Sequence, residues 1–205
     1  PPRSTPSNSS AASDVYKRQM DLHAGQIQGF FDIPVDHLFA VGVFIEYINN
    51  IGLKNIVVVS PDVGGIKMAR AYAKRLNADL AIIDKRRVGP EEAEAIHIMG
   101  EVEGKDAVIV DDLIATGGSL LEAVAKLKKE GAKDVYAAVS HGVLSGPAIE
   151  RIDKCAALKQ LLITDSIPLE NHKRHPKVKV LSIASLLGEA VKRIHNEESV
   201  SCLFD

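Results

Sequence analysis

Cysteine is nearly absent from this chain. Cys155 and Cys202 are the only two in 205 residues, too few and too far apart for a disulfide framework or a thiolate-bound metal. Both read as ordinary packing or surface residues. Long apolar runs are missing too: no stretch approaches the roughly 20 consecutive apolar residues of a membrane span. No charged start followed by an apolar stretch marks a secretory leader, so cytoplasmic residence is the expectation. Excess charge of one sign is also lacking, with 25 Lys and Arg against 27 Asp and Glu for a net charge of −2. The basic residues fall in short local groups rather than one stripe, which argues against a nucleic-acid surface. Any anion this chain binds is small. Present instead is a 46% apolar composition, enough for the core of one ordinary soluble domain, and no internal repeat.

Residues Pro1 to Gln19 differ sharply from the rest of the chain, being dominated by Pro, Ser, Asn and Ala. Disorder is expected there. The run Ala12-Ser13-Asp14-Val15-Tyr16-Lys17-Arg18-Gln19 has the look of translated junction sequence, and it is set aside from fold reasoning. Beyond it, runs rich in Val and Ile predict strands at Ile56 to Ser60, Leu80 to Ile83, Ala107 to Val110, Val135 to Val139, Leu161 to Thr164 and Val178 to Leu181. Helical patterns cover Val35 to Asn50, Gly65 to Leu76, Ser119 to Glu130, Pro147 to Lys154 and Ala184 to His195, with Gly52 and Gly131 as stops. Alternation of strand and helix predicts an α/β fold, a mostly parallel sheet with right-handed crossovers and helices on both faces.

The densest chemistry lies in Val108-Ile109-Val110-Asp111-Asp112-Leu113-Ile114-Ala115-Thr116-Gly117-Gly118-Ser119. Three β-branched residues in a row suit a strand covered on both faces. Two adjacent carboxylates then fall at its carboxyl end, the edge where open α/β sheets bind ligands. Thr116, Gly117, Gly118 and Ser119 come next, at the mouth of a helix whose free N–H groups and dipole favour phosphate. Sugar hydroxyls would meet the Asp pair and phosphate the glycines. A simpler reading makes Ser119 and Glu122 a capping box for a helix with Leu120, Val124 and Leu127 on one face. That accounts for the helix start, but not for two neighbouring like charges.

This segment resembles the phosphoribosyl-binding loop of type I phosphoribosyltransferases and of ribose-phosphate pyrophosphokinases, the phosphoribosyl pyrophosphate synthetases. Three further segments resemble the synthetases: Asp21-Leu22-His23-Ala24-Gly25-Gln26-Ile27-Gln28-Gly29-Phe30-Phe31, Ser60-Pro61-Asp62-Val63-Gly64-Gly65 and Asp84-Lys85-Arg86-Arg87. The likeness continues through Ile167-Pro168-Leu169 to Asn196-Glu197-Glu198-Ser199-Val200-Ser201, nearly everything from Met20 onward. The resemblance implies a type I phosphoribosyltransferase-like fold and magnesium-dependent transfer of diphosphate from ATP to the 1-hydroxyl of ribose 5-phosphate. It also implies a cytoplasmic homo-oligomer, a hexamer, working in nucleotide biosynthesis, with no nucleic acid or membrane partner. On this reading residues 1–19 are a disordered, non-native leader and 20–46 a remnant of the N-terminal synthetase domain. Residues 47–190 form the phosphoribosyltransferase-like domain, and 191–205 a tail that packs on the missing domain. Phe30, Phe31, Phe39, Leu203 and Phe204 would then lack part of their burial surface.

By the same resemblance Lys85 and Arg87 are catalytic, Arg87 also binding substrate, and His23 and Asp62 are the magnesium-associated positions. Asp111, Asp112, Ala115, Thr116, Gly117, Gly118 and Ser119 line the ribose 5-phosphate site. The residue chemistry fits unevenly. Lys85 and Arg87 lie in a charged, Gly- and Pro-containing segment that reads as a mobile loop able to close over triphosphate, although a Lys-Arg-Arg run alone reads as a solvated turn. Asp62 offers magnesium a hard oxygen, whereas the nitrogen of His23 is not that ion's preferred donor. Gly64 and Gly65 allow close backbone approach, so their turn is a second phosphate candidate. Ala115 departs from the synthetase pattern, which has aspartate there, and cannot take a proton or accept a hydrogen bond from its side chain. Arg70, His97 and His141, near predicted sheet ends, fit structural hydrogen bonds at least as well as catalysis. Two alternatives stay open: a non-catalytic regulatory subunit, which Ala115 keeps in view and the presence of Lys85, Arg87, His23 and Asp62 argues against, and a salvage phosphoribosyltransferase, for which no base-recognition segment stands out.

Overall fold

The computed structural model describes residues 17–86 and 95–203. In chain order its strands are β1 (Lys17–Met20), β2 (Val35–Leu38), β3 (Ile56–Ser60), β4 (Asp79–Arg86), β5 (Ala95–Met99), β6 (Asp106–Ile114), β7 (Val135–Gly142), β8 (Leu158–Thr164) and β9 (Val178–Leu181). Its α-helices are α1 (Val41–Asn50), α2 (Ile66–Leu76), α3 (Gly118–Lys129), α4 (Ala148–Lys154) and α5 (Ala184–His195). The chain divides into two compact units, one running to Ala40 and resuming at Ile183, the other Val41–Ser182.

The second unit is an α/β layer. Its sheet runs β5-β4-β3-β6-β7-β8-β9, parallel throughout except that β5 lies antiparallel on β4. Strand side chains alternate between faces, and both faces are closed. Val57, Val59, Ile109, Ala137, Val139, Leu161 and Ile163 pack with Leu120, Val124 and Leu127 of α3 and Ile152 of α4. Their neighbours Val58, Val108, Val110, Ala138 and Leu162 are equally buried on the opposite side. There Tyr47 of α1 hydrogen-bonds Gln160 of β8 at 3.1 Å, and Phe44 of α1 stacks obliquely on Tyr72 of α2. Double coverage is why these strands read as unbroken Val and Ile rather than as an alternating pattern. Each such buried side chain contributes about 1.5–3 kcal/mol over exposure.

Helix ends obey local chemistry. Asn77 closes α2 in the left-handed conformation, φ 48° and ψ 48°, its N–H reaching back to Ala73 and Lys74, while Lys74 and Arg75 face the negative end of the dipole. Gly131, at φ 86°, ends α3 as its position in the sequence predicts.

Four expectations need correction. The expected helix from Val35 begins only at Val41, because Val35–Leu38 pairs in parallel with Lys17–Met20. The break is enforced by side chains: Asp21 Oδ2 accepts the Ala40 N–H at 2.9 Å and His37 Nε2 accepts that of Leu22 at 2.8 Å. Burial of His37 lowers its pKa and favours the neutral ring that this bond requires. The same pairing gives Lys17, Arg18 and Gln19 strand backbone where disorder is expected. Pro1 to Tyr16 lie outside the described residues. Next, β4 continues through Lys85 to Arg86, paired with Ile96 and Ala95 of β5, so these two positions are rungs of a ladder instead of a loop. Finally, α3 starts at Gly118 behind Gly117, and no side chain caps it. The Ser119 capping box is therefore not formed.

The first unit exposes apolar surface, with Phe30 86% exposed and Ile27, Phe39 and Val191 exposed as well. Phe31 and Leu203 are partly buried, and Phe204 lies outside the described residues.

Candidate functional site

The strand order creates the site. β3 and β6 are neighbours, but the chain leaves β3 toward β4 and leaves β6 toward β7, so the crossovers diverge and open a crevice beyond the carboxyl ends of the two strands. Two strand-loop-helix turns deliver residues there: Ser60 to Gly65 from β3 and Asp111 to Ser119 from β6.

Asp111 and Asp112 end the buried part of β6, and both are half-buried. The Asp112 N–H donates to Asp111 Oδ1 at 2.9 Å. Burial, aided by the negative charges of Asp112 and Asp62, pushes the Asp111 carboxyl up to about 6 against the lowering effect of that N–H. The structure thus brings Asp62, Asp111 and Asp112 into one field. Such a site favours a cation, or hydroxyl groups that donate to the carboxylates.

The loop after β6 is shaped from outside. Ile114 O accepts the N–H of Leu144 at 3.2 Å and Ala115 O that of Ser145 at 3.0 Å. Thr116 O accepts Arg151 Nη1 at 3.1 Å. Gly117 turns the chain at φ 76°, a conformation costly for residues with a Cβ. Ala115, Thr116 and Ser119 are exposed, Gly117 is buried and Gly118 half-buried, at the positive end of the twelve-residue α3. The loop is visible in the sequence, but Arg151 is not, because its contact spans 35 residues and leaves no local mark.

The β3 turn differs. Asp62 Oδ1 accepts the Gly65 N–H at 2.8 Å, and Ser60 Oγ donates to Asp62 O at 2.7 Å. The chain's own carboxylate already sits at this helix mouth, which argues against the phosphate expected at Gly64 and Gly65. Asp62 itself is exposed at the crevice.

The remaining candidates scatter. His23 lies exposed in the first unit, just before the 3-10 turn Gly25–Phe30. Lys85 has its backbone in β4, and Arg87 lies outside the described residues. Arg70 is exposed on α2, and His97 is exposed on β5 opposite Asp84. His141 Nδ1 lies 2.8 Å from Ser166 Oγ, in a network where Thr164 Oγ1 donates to Ser140 O at 2.7 Å. Among the described residues no three His, Cys, Asp or Glu side chains form a metal cage, and no helix is long and apolar enough to cross a membrane.

A seven-stranded, mostly parallel sheet, with paired carboxylates leading into a Thr-Gly-Gly-Ser helix mouth at its switch point, defines the class: an α/β protein of type I phosphoribosyltransferase-like fold. Within that class the chain belongs to the phosphoribosyl synthetase-associated domain family, whose model matches residues 86–205. Its relatives are ribose-phosphate pyrophosphokinases. That of Oceanobacillus iheyensis is 53% identical over 186 residues, covering 91% of this chain and 58% of its own length. That of Synechococcus elongatus is 50% identical over 186 residues, covering 90% and 56%. The crystal structure of phosphoribosylpyrophosphate synthetase from Mycobacterium smegmatis superposes with a TM-score of 0.82 at 36% identity, covering 94% of this chain and 66% of that one. The chain therefore spans somewhat over half the length of the curated relatives it matches.

Proposed function

We propose that this chain carries the ribose 5-phosphate half of a magnesium-dependent ribose-phosphate diphosphokinase, which moves diphosphate from ATP to the sugar 1-hydroxyl and releases AMP. The carrying observation is that Asp111, Asp112 and Asp62 act on one another electrostatically beside the Ala115–Ser119 loop at the sheet's switch point. In this reading Asp111 and Asp112 accept the ribose hydroxyls, and Thr116, Gly117, Gly118 and Ser119 surround the 5-phosphate. Ala115 contributes backbone only. Lys85 and Arg87 meet the transferring phosphoryl group.

Magnesium suits this donor set. Burial, together with the neighbouring charges of Asp112 and Asp62, raises the Asp111 carboxyl to about 6, and a hard dication would offset the charge of the ionised group. Because no protein cage surrounds that point among the described residues, one or two carboxylates would hold the ion, with water and substrate phosphate completing its shell. Asp62 supplies oxygen from β3, and His23 is the proposed second position. The bound ion would neutralise charge building on the phosphoryl oxygens.

The names of the relatives support the activity, and the exposed Phe30, Ile27 and Phe39 fit a surface that continues into a further domain and a homo-oligomer, proposed as a hexamer in the cytoplasm. Isothermal calorimetry with ribose 5-phosphate and magnesium tests the site in this chain: saturable binding is expected, together with little AMP formation from ATP. No binding, or turnover equal to a full-length relative's, would refute the reading. In a chain restored to full length, Lys85→Ala should lower kcat about a hundredfold or more with ribose 5-phosphate affinity nearly intact. A normal kcat with only a raised KM would move the catalytic assignment elsewhere.

A further inference from the structure

We propose that Arg151 is a positioning residue for the ribose-phosphate loop, fixing through the Thr116 carbonyl the direction in which the loop's amides meet the phosphate. The inference rests on the site reading above and adds a residue that the motif does not contain.

Three successive carbonyls, those of Ile114, Ala115 and Thr116, are bonded to one segment, Leu144–Arg151. In a planar trans peptide the N–H points away from the carbonyl of the same unit. Drawing these carbonyls toward Leu144–Arg151 therefore turns the amides of Ala115, Thr116 and Gly117 the other way. Successive amides aimed to one side form a concave anion site. The backbone of Leu144 and Ser145 secures the first two peptides, but the third depends on a side chain.

That third bond matters most because it adjoins Gly117, where the chain reverses at φ 76°. Arg151 is well suited to it. Its guanidinium is permanently charged and donates in a fixed plane, so it orients the carbonyl and adds positive potential beside a dianion. The guanidinium also lies close behind Gly118, where a Cβ would stand 3.4 Å from Arg151 Nη1, within ordinary contact distance.

The segment behind Arg151 is held at both ends. Leu144 is buried at φ 47°, a region that branched aliphatic residues seldom enter, and this backbone delivers its N–H to Ile114. At the far end of α4, Lys177 Nζ donates to the carbonyls of Ile152 at 3.2 Å, Asp153 at 3.1 Å and Cys155 at 2.9 Å. A helix of seven residues is thus held at its last turn while its middle residue reaches the loop. Arg151 is itself exposed, so its truncation removes no core packing.

The test compares the unaltered chain with Arg151→Met, which keeps length without charge or donor, and Arg151→Lys, which keeps both without the planar fork. Ribose 5-phosphate affinity is read by calorimetry, the Thr116 and Gly117 amide shifts by 15N NMR, and Tm by calorimetric melting. The Met variant should bind about tenfold more weakly, as for one charge-assisted hydrogen bond, with both amide signals displaced and Tm unmoved. The Lys variant should recover part of the affinity. Unchanged affinity and amide shifts in the Met variant would overturn the proposal, as would equal losses in both variants accompanied by a fall in Tm. If the unaltered chain fails to bind ribose 5-phosphate, the site reading falls, and the amide shifts still decide whether Arg151 sets the loop.

Discussion

The turns after β3 and β6 begin alike, each a buried strand running through a carboxylate and a Gly-Gly pair into a helix, and they end differently. In the first, Asp62 takes the N–H of Gly65, so the turn satisfies itself. In the second, no side chain of the turn caps α3, and the carbonyls go to a distant segment. On the proposed reading, a Gly-Gly turn becomes an anion site by having its carbonyls drawn off to another segment, which turns its amides the other way. Glycine content alone does not distinguish the two.

The sharpest way to break this comparison is glycine replacement. Gly118→Val should weaken ribose 5-phosphate binding by about a hundredfold, the equivalent of two charge-assisted hydrogen bonds. Gly64→Ala, whose Cβ would meet only the end of the Asp62 side chain at 3.2 Å, should change it by no more than about twofold. Calorimetry giving equal losses would erase the distinction. Next is Asp62→Ala, which strips the first turn of its internal acceptor and should cost about 1 kcal/mol in chemical denaturation; no loss would mean that the Asp62–Gly65 bond is not formed in solution.

A smaller effect separates the turns by pH. Asp111 has a native pKa near 6 against an ordinary value of 3.8, so the folded form holds the proton more tightly. Stability from this group is fully present below pH 3.8 and is lost as pH rises through 6. Asp111→Asn should therefore gain about 1 kcal/mol at pH 8, allowing for screening of a partly exposed group, and nothing well below the ordinary value of 3.8. A gain independent of pH would assign the effect to something other than charge. Magnesium affinity of the unaltered chain should fall as pH is lowered through the same interval, since proton and cation compete. Smallest of all, Ser119→Ala should leave stability within about 0.5 kcal/mol, because that hydroxyl caps nothing. A loss of about 1 kcal/mol or more, the usual worth of a cap, would restore the capping box.

The fold and site are legible in sequence where one residue type answers to one local cause. Val57 to Val59 and Val108 to Val110 announce doubly covered strands, and Asp111 with Thr116 to Ser119 announces the loop. The hidden features depend on partners far along the chain. Val35–Leu38 looks helical until β1 claims it; β5 is an unremarkable five-residue run until β4 pairs with it; Arg151 is one more charged helix residue until Thr116 accepts its hydrogen. The β6 switch from buried strand to half-buried carboxylates is visible in order, but the arrival of Asp62 from β3 depends on strand order alone.

Lys177 lies on the approach to β9, the strand at one border of the sheet, and its ammonium grips the last carbonyls of α4. α4 is thereby tied to that border by its last turn and to Thr116 by its middle residue. One run of hydrogen bonds leads from the margin of the sheet to the peptide next to Gly117.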